Sequence, residues 1–182
     1  MRKVILNVAV SLDGFIEGPN GEYDWCFADQ DYGMEAFLAD TDCIFIGRKS
    51  FDLIKADMAL FPVEKVYIFS DTLSETELPT NAEIIRSQEF DEKVNSVINS
   101  SGKNIWLFGG AQLVTSFIHR NLLGELLLAV HPIILGAGKQ LFADLDERVQ
   151  LQLLDQTVYD TGLLQIRYAV KPRFDADMLE KL

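Results

Sequence analysis

What most limits the folds open to this chain is a rhythm: apolar runs of strand length alternate with stretches of helical period up to about residue 131. A strand, a helix and a second strand in succession form a βαβ unit, and such units stack into a largely parallel sheet. The rhythm predicts strands at 4–10, 43–46, 66–69, 83–85, 105–108 and 126–130. Most are apolar at consecutive positions, as strands covered on both faces are. Between them, 31–39 carries Met34, Phe37 and Leu38; 90–98 carries Phe90, Val94, Val97 and Ile98; and 112–122 carries Leu113, Val114, Phe117, Ile118 and Leu122. Those are helical spacings. Gly102 and Gly124 stand just past the last two, where left-handed caps are expected. Two further strand-like runs, 150–159 and 163–170, flank Asp160-Thr161-Gly162, which reads as a hairpin turn. The expected fold is α/β, with a mixed but mostly parallel sheet that ends in an antiparallel hairpin. No repeat, low-complexity tract or linker interrupts it. Residues 1–182 are therefore expected as a single domain, with the charged stretch 172–182 as a loosely packed extension.

Composition narrows the partners. Sixteen Lys and Arg against 28 Asp and Glu give a formal charge of −12, whereas a nucleic-acid or anionic-membrane surface calls for a basic face. No apolar run approaches the ~18 residues of a spanning helix, and the first residues lead straight into a strand, so a soluble cytoplasmic protein is expected. Cys26 and Cys43 lie in no metal-ligand spacing and suit a reducing compartment; no metal is expected. The remaining partners are a small molecule and a second copy of the chain.

Three glycine-bearing turns, each after a predicted strand, carry the chemistry. Ser11-Leu12-Asp13-Gly14-Phe15-Ile16 precedes a long loop to Trp25. Gly14 permits positive φ and the approach of a flat ring, although the same residues also suit a plain turn with Trp25 as a core anchor. Ile46-Gly47-Arg48-Lys49-Ser50-Phe51 brings two cations and a hydroxyl to a helix start, which makes either an anion site or a capped, solvated turn. Trp106-Leu107-Phe108-Gly109-Gly110-Ala111 places paired glycines where a pyrophosphate would approach a helix N-terminus. It lacks the full GxGxxG pattern of a Rossmann turn, and the same glycines also suit a plain turn that needs positive φ.

Taken in order with Val130-His131-Pro132-Ile133-Ile134-Leu135-Gly136-Ala137-Gly138-Lys139, these segments resemble the dihydrofolate-reductase-like family, in particular the reductase domain of the bacterial bifunctional riboflavin deaminase-reductase and its stand-alone relatives. The resemblance spans about residues 3 to 171 and implies a three-layer fold with helices on both faces of the sheet. It also implies NADPH lying across the carboxyl ends of the strands, as crevice-binding α/β folds hold their ligands. On that resemblance Gly47, Arg48, Lys49 and Ser50 meet the cofactor phosphates, with Arg48 toward the adenosine. Gly109 and Gly110, with Phe108 and Ala111 beside them, meet the pyrophosphate; Asp13 and Gly14 border the nicotinamide; and Ser70 contacts the adenosine ribose and its 2′-phosphate. Asp71 follows, an anion where a phosphate is expected, which leaves NADH open as the cofactor.

The resemblance also implies an acidic residue early in the helix after the tryptophan loop, which makes Asp31 the candidate proton donor or orienter, with helix capping as its competing role. Trp25 and His131 are candidates for the substrate pocket, and His131 has a structural role as its alternative. Nothing matches the H-x-E and P-C-x-x-C pattern of a zinc deaminase. The activity implied by the resemblance is reduction of a pteridine or a phosphoribosylamino-pyrimidine by a homodimer. The competing reading is a dinucleotide-binding dimer of the same fold with little turnover.

Overall fold

The apolar runs become ten strands and four α-helices in a computed structural model that describes residues 1–171; the stretch 172–182 lies outside the described residues. The strands are β1 (Val4–Ser11), β2 (Phe15–Glu17), β3 (Thr41–Gly47), β4 (Lys65–Phe69), β5 (Ala82–Ile85), β6 (Asn104–Gly109), β7 (Glu125–His131), β8 (Lys139–Gln140), β9 (Leu151–Val158) and β10 (Leu164–Val170). The helices are α1 (Met34–Ala39), α2 (Arg48–Ile54), α3 (Phe90–Asn99) and α4 (Ala111–His119). Eight strands form one sheet in the order β5-β4-β3-β6-β1-β7-β10-β9. Pairing is parallel from β5 to β7, then antiparallel through β10 and β9. The mixed sheet with its antiparallel C-terminal hairpin is as expected.

Consecutive apolar residues divide between the two faces because side chains alternate along a strand. From β3, Cys43 and Phe45 enter one core with α3 and α4, while Ile44 and Ile46 enter the other with Phe51 of α2 and the apolar side of α1. Helices thus cover both faces. On the first face Phe45, Phe69, Phe90 and Phe117 pack with ring centroids 5.2–5.9 Å apart, a geometry that adds roughly 0.5–1.5 kcal/mol per pair to the burial itself.

Three local expectations need correction. The helix placed at 31–39 begins only at Met34, because Tyr32 and Gly33 have φ of 50° and 79° and bend the chain first. Tyr32 holds that conformation by donating its hydroxyl to Asp29 (2.7 Å) and packing edge-on against Tyr159. Neither Gly102 nor Gly124 forms the left-handed cap. The α3 cap is Ser100 in extended conformation, and after α4 the left-handed residue is Asn121, with φ 54°. Gly124 is small for another reason: a side chain there would press on the Val4 carbonyl and on Lys3.

Candidate functional site

The carboxyl ends of β3, β4 and β6 open onto a cleft of about 580 Å³, within the size range of small-molecule sites. Gly47, Arg48, Lys49 and Ser50 line it from the β3–α2 turn, and Ser70, Asp71 and Thr72 from the end of β4. Gly110, Ala111, Gln112 and Leu113 line it from the start of α4. Parallel strands bring these turns together because each βα turn leaves the sheet at the same edge.

At the end of β6 the pairing with β3 skips Phe108, so that Ile46 lies opposite Gly109 after Phe45 lies opposite Leu107. Phe108 lies on the α2 face, as Trp106 two residues before it does, and packs against Trp106 and Phe61. Gly109 and Gly110 then take φ of 130° and 95°, values closed to most side chains. Helix α4 starts immediately, and Gly110 offers no side chain to cap it. Its first amide groups therefore lack intrahelical acceptors, and they open beside Ser50, whose Oγ is 3.5 Å from where a Cβ on Gly110 would stand. Arg48 is held to Asp52 on the next turn of α2 (Nε to Oδ2, 2.6 Å), and that contact keeps the Asp52 carboxyl below its ordinary range.

Asp13, Gly14, Trp25, Asp31 and His131, like Phe108 and Gly109, are not among the residues that line this cleft. The Asp13 carboxylate accepts from the Ser11 hydroxyl (2.7 Å) and from the N–H groups of Leu135 (3.1 Å) and Gly136 (2.8 Å). Foremost by the Ser11 bond, these donors hold its pKa below the usual carboxylate range. Asp13 thus ties the first glycine turn to the 132–138 loop. Gly14, with φ 88°, leaves open space where a side chain would be. From that loop Lys139 returns to the cleft, paired with Glu17 at 3.2 Å.

His131 is 3% exposed. Its Nε2 accepts the Phe27 N–H at 3.0 Å and its Nδ1 lies 2.9 Å from the Ala129 carbonyl, so both bonds are satisfied by the neutral ring with its proton on Nδ1. Burial lowers its pKa, opposed by the Ala129 bond. Trp25 packs edge-on against His131, and its buried indole N–H has no hydrogen-bond partner among the described residues. Asp31 is exposed, and its Oδ1 accepts the Glu35 N–H at 2.9 Å, the capping geometry rather than one aimed into the cleft.

The cleft also contains residues that sequence reasoning did not single out: Ile85, Ser87 and Phe90 at the β5 side, and Gln112 and Ser116 on α4. No local pattern marks Ser87. It reaches Asp71 only because β5 pairs with β4 in parallel, Phe69 opposite Ile85.

A model of the RibD C-terminal domain family matches residues 2–165. Among curated relatives, the uncharacterized protein YyaP of Bacillus subtilis (strain 168) is 42% identical over 180 residues, which span 92% of this chain and 94% of that one. A second uncharacterized protein of the same organism, YwjB, is 31% identical over 160 residues, 84% of this chain and 89% of the other. Of solved structures, a Shewanella sp. PV-4 protein provisionally assigned to riboflavin biosynthesis superposes with a TM-score of 0.77 at 24% identity, covering 94% of this chain and all of that one. The diaminohydroxyphosphoribosylaminopyrimidine deaminase/5-amino-6-(5-phosphoribosylamino)uracil reductase of Thermotoga maritima gives 0.71 at 13% identity, over 93% of this chain and 57% of its own. At such identities the superpositions establish the shared fold.

Proposed function

The chain belongs to the RibD C-terminal domain family, and from that premise we propose that it is a cytoplasmic reductase that delivers hydride from a reduced nicotinamide dinucleotide, NADPH or NADH, to a small heterocycle. The substrate class is a phosphoribosylamino-pyrimidine or a pteridine, in keeping with the uracil reductase activity in the name of the Thermotoga relative.

One observation carries the reading: the uncapped start of α4 opens into the cleft between Gly110 and Ser50, with Arg48 and Lys49 across from it. Orphan amides, a hydroxyl and cations together fit the two phosphates of a dinucleotide. The apolar wall of Phe69, Ile85 and Phe90 fits an adenine at one end. Toward the other end, beyond Lys139, the Ser11–Gly14 turn stands at the end of β1, where the nicotinamide belongs. Dinucleotides supply hydride chemistry ready-made. What the protein adds is placement: the Asp13 clamp holds the β1 turn against the 132–138 loop, and His131 pins the Trp25–Phe27 segment over the end of β7.

The functional unit on this reading is a homodimer. Strand β9 ends the sheet, and its Leu151, Leu153, Leu154 and Val158 are exposed. A second copy related by a twofold axis would cover them. A second reading, a dinucleotide-binding dimer with little turnover, draws support from Asp31, whose carboxylate caps α1 instead of entering the cleft.

Titration of nicotinamide fluorescence with purified protein, followed by absorbance assays over a panel of pyrimidines and pteridines, tests both. Binding with oxidation by one heterocycle is the expected result. Binding without any oxidation favours the second reading, and no binding removes both.

A further inference from the structure

Given the dinucleotide reading above, we infer that Asp71 sets cofactor choice: its carboxylate accepts the 2′-hydroxyl of an unphosphorylated adenosine ribose and repels a 2′-phosphate, so that the cleft takes NADH in preference to NADPH. The position follows from the cleft itself. With the phosphates at the start of α4 and adenine against Phe69, Ile85 and Phe90, the ribose between them lies along the turn that leaves β4.

That turn is built to be rigid. Ser70 Oγ accepts the N–H groups of Thr72 (3.2 Å) and Leu73 (3.0 Å). The Arg86 guanidinium donates to the carbonyl oxygens of Ser70 (2.7 Å) and Leu73 (2.9 Å). Asp71 Oδ1 accepts the Ser87 N–H at 2.8 Å, and Oδ2 accepts the Ser87 hydroxyl. Hydrogen bonds to both oxygens hold the carboxylate at this turn, so that displacing it to admit a phosphate would break two of them. Ser87 occupies one acceptor position on each oxygen, and a carboxylate offers about four in all. Further positions remain for a ribose hydroxyl, which brings a proton to donate; a phosphate brings only charge of the same sign.

The carboxylate is ionised at neutral pH, since the Ser87 hydroxyl and then the Ser87 N–H hold its pKa below the usual range. The cations nearby have other work. Arg86 donates to backbone carbonyls and does not line the cleft, Lys139 pairs with Glu17, and Arg48, paired with Asp52, belongs with Lys49 at the phosphates that both cofactors share. Lys49 lines the cleft beside Ser50, where the pyrophosphate shared by both cofactors would engage it. In Rossmann folds a carboxylate near the ribose accepts a free 2′-hydroxyl and an arginine accommodates a 2′-phosphate, and the same charge logic applies at this strand end.

The test is fluorescence titration of the full chain with NADH and with NADPH, for wild type, Asp71→Asn and Asp71→Ser, each checked for folding by its melting transition. Wild type is expected to bind NADH about tenfold or more tighter than NADPH, and both variants to narrow that ratio by about tenfold, chiefly by gaining NADPH affinity. Wild-type binding of NADPH as tight as or tighter than NADH overturns the inference and leaves the dinucleotide site standing. So do variants that shift both affinities in parallel. Should the variants not fold, the wild-type ratio alone decides. Binding of neither cofactor overturns the dinucleotide reading and this inference with it.

Discussion

Strands β3 and β9 belong to the same sheet and have opposite fates. In β3 five of seven residues are buried, and Ile44, Phe45 and Ile46 have no exposed surface. In β9 all eight residues are exposed, although four of them are leucine or valine. The difference comes from connection. A parallel strand must be reached by a crossover, and the crossover helix covers the sheet on its way. A hairpin needs only a turn, here the bend at Gly162, so β9 and β10 arrive without a helix. The bulge at Leu154 changes the alternation, so that Leu151 and Leu153 before it share a face with Val158 after it. One half of the molecule completes its own core, and the other presents an apolar edge suited to a second copy.

The largest effect that tests this contrast is Phe45→Ala, which removes a ring packed against Tyr67, Phe69 and Phe117 and should lower unfolding free energy by about 3–5 kcal/mol in urea denaturation. If Leu153→Ala cost as much under the same conditions, the two halves would not differ as described.

Next comes His131, at the end of the strand that joins the halves. His131→Leu leaves the Phe27 N–H without its acceptor and should cost about 1–3 kcal/mol. The native pKa of His131 lies below the unfolded value of about 6.5, so the fold favours the neutral ring. That contribution is complete above the unfolded pKa and is lost as pH falls through the lower native value. Melting temperatures measured from a pH of about 7.5 down to about 5 should therefore fall more steeply for wild type than for His131→Leu. Parallel curves would show that another group governs the acid side.

A matched pair of glycines separates shape from function. Gly110 in the cleft and Gly162 in the hairpin have φ of 95° and 86°. Alanine at either should cost about 1 kcal/mol or more through backbone strain. Only Gly110→Ala, whose new methyl would stand at the cleft mouth by Ser50, should also lose dinucleotide affinity per folded molecule. Equal affinity in the two variants would remove the phosphates from the start of α4. The smallest effect on the fold belongs to Leu153→Ser and Leu154→Lys. Each should change the unfolding free energy of the monomer, measured at a dilution that dissociates the dimer, by no more than about 0.5 kcal/mol, as exposed positions do. Light scattering at micromolar concentration should nonetheless show the dimer of wild type reduced to a monomer. A wild-type monomer would end the dimer reading.

Much of this molecule is written in local pattern. Apolar runs at Val4, Cys43, Val66, Ile105 and Leu126, and helical spacing from Phe90 and from Leu113, depend on neighbours a few residues apart, and all appear as strands or helices. The short β2–β8 ribbon escaped that reading because strands of three and two residues carry no period. Glycine turns after strands were visible too, and the sequence alone directed attention to Gly47–Ser50 and Gly109–Gly110; of these Gly47–Ser50 and Gly110 line one cleft edge, and Gly109 stands behind it, opposite Ile46 of β3. The partners of the polar side chains were decided by tertiary structure. His131 meets the Phe27 amide across 104 residues, and Asp13 meets the Leu135 amide across 122. Asp71 meets Ser87 only because two parallel strands end side by side. Side-chain periodicity is a property of each element by itself, whereas a hydrogen bond between distant residues exists only after the elements have packed, which is why Asp31 and His131 could be picked out but not assigned their partners before the sheet was assembled.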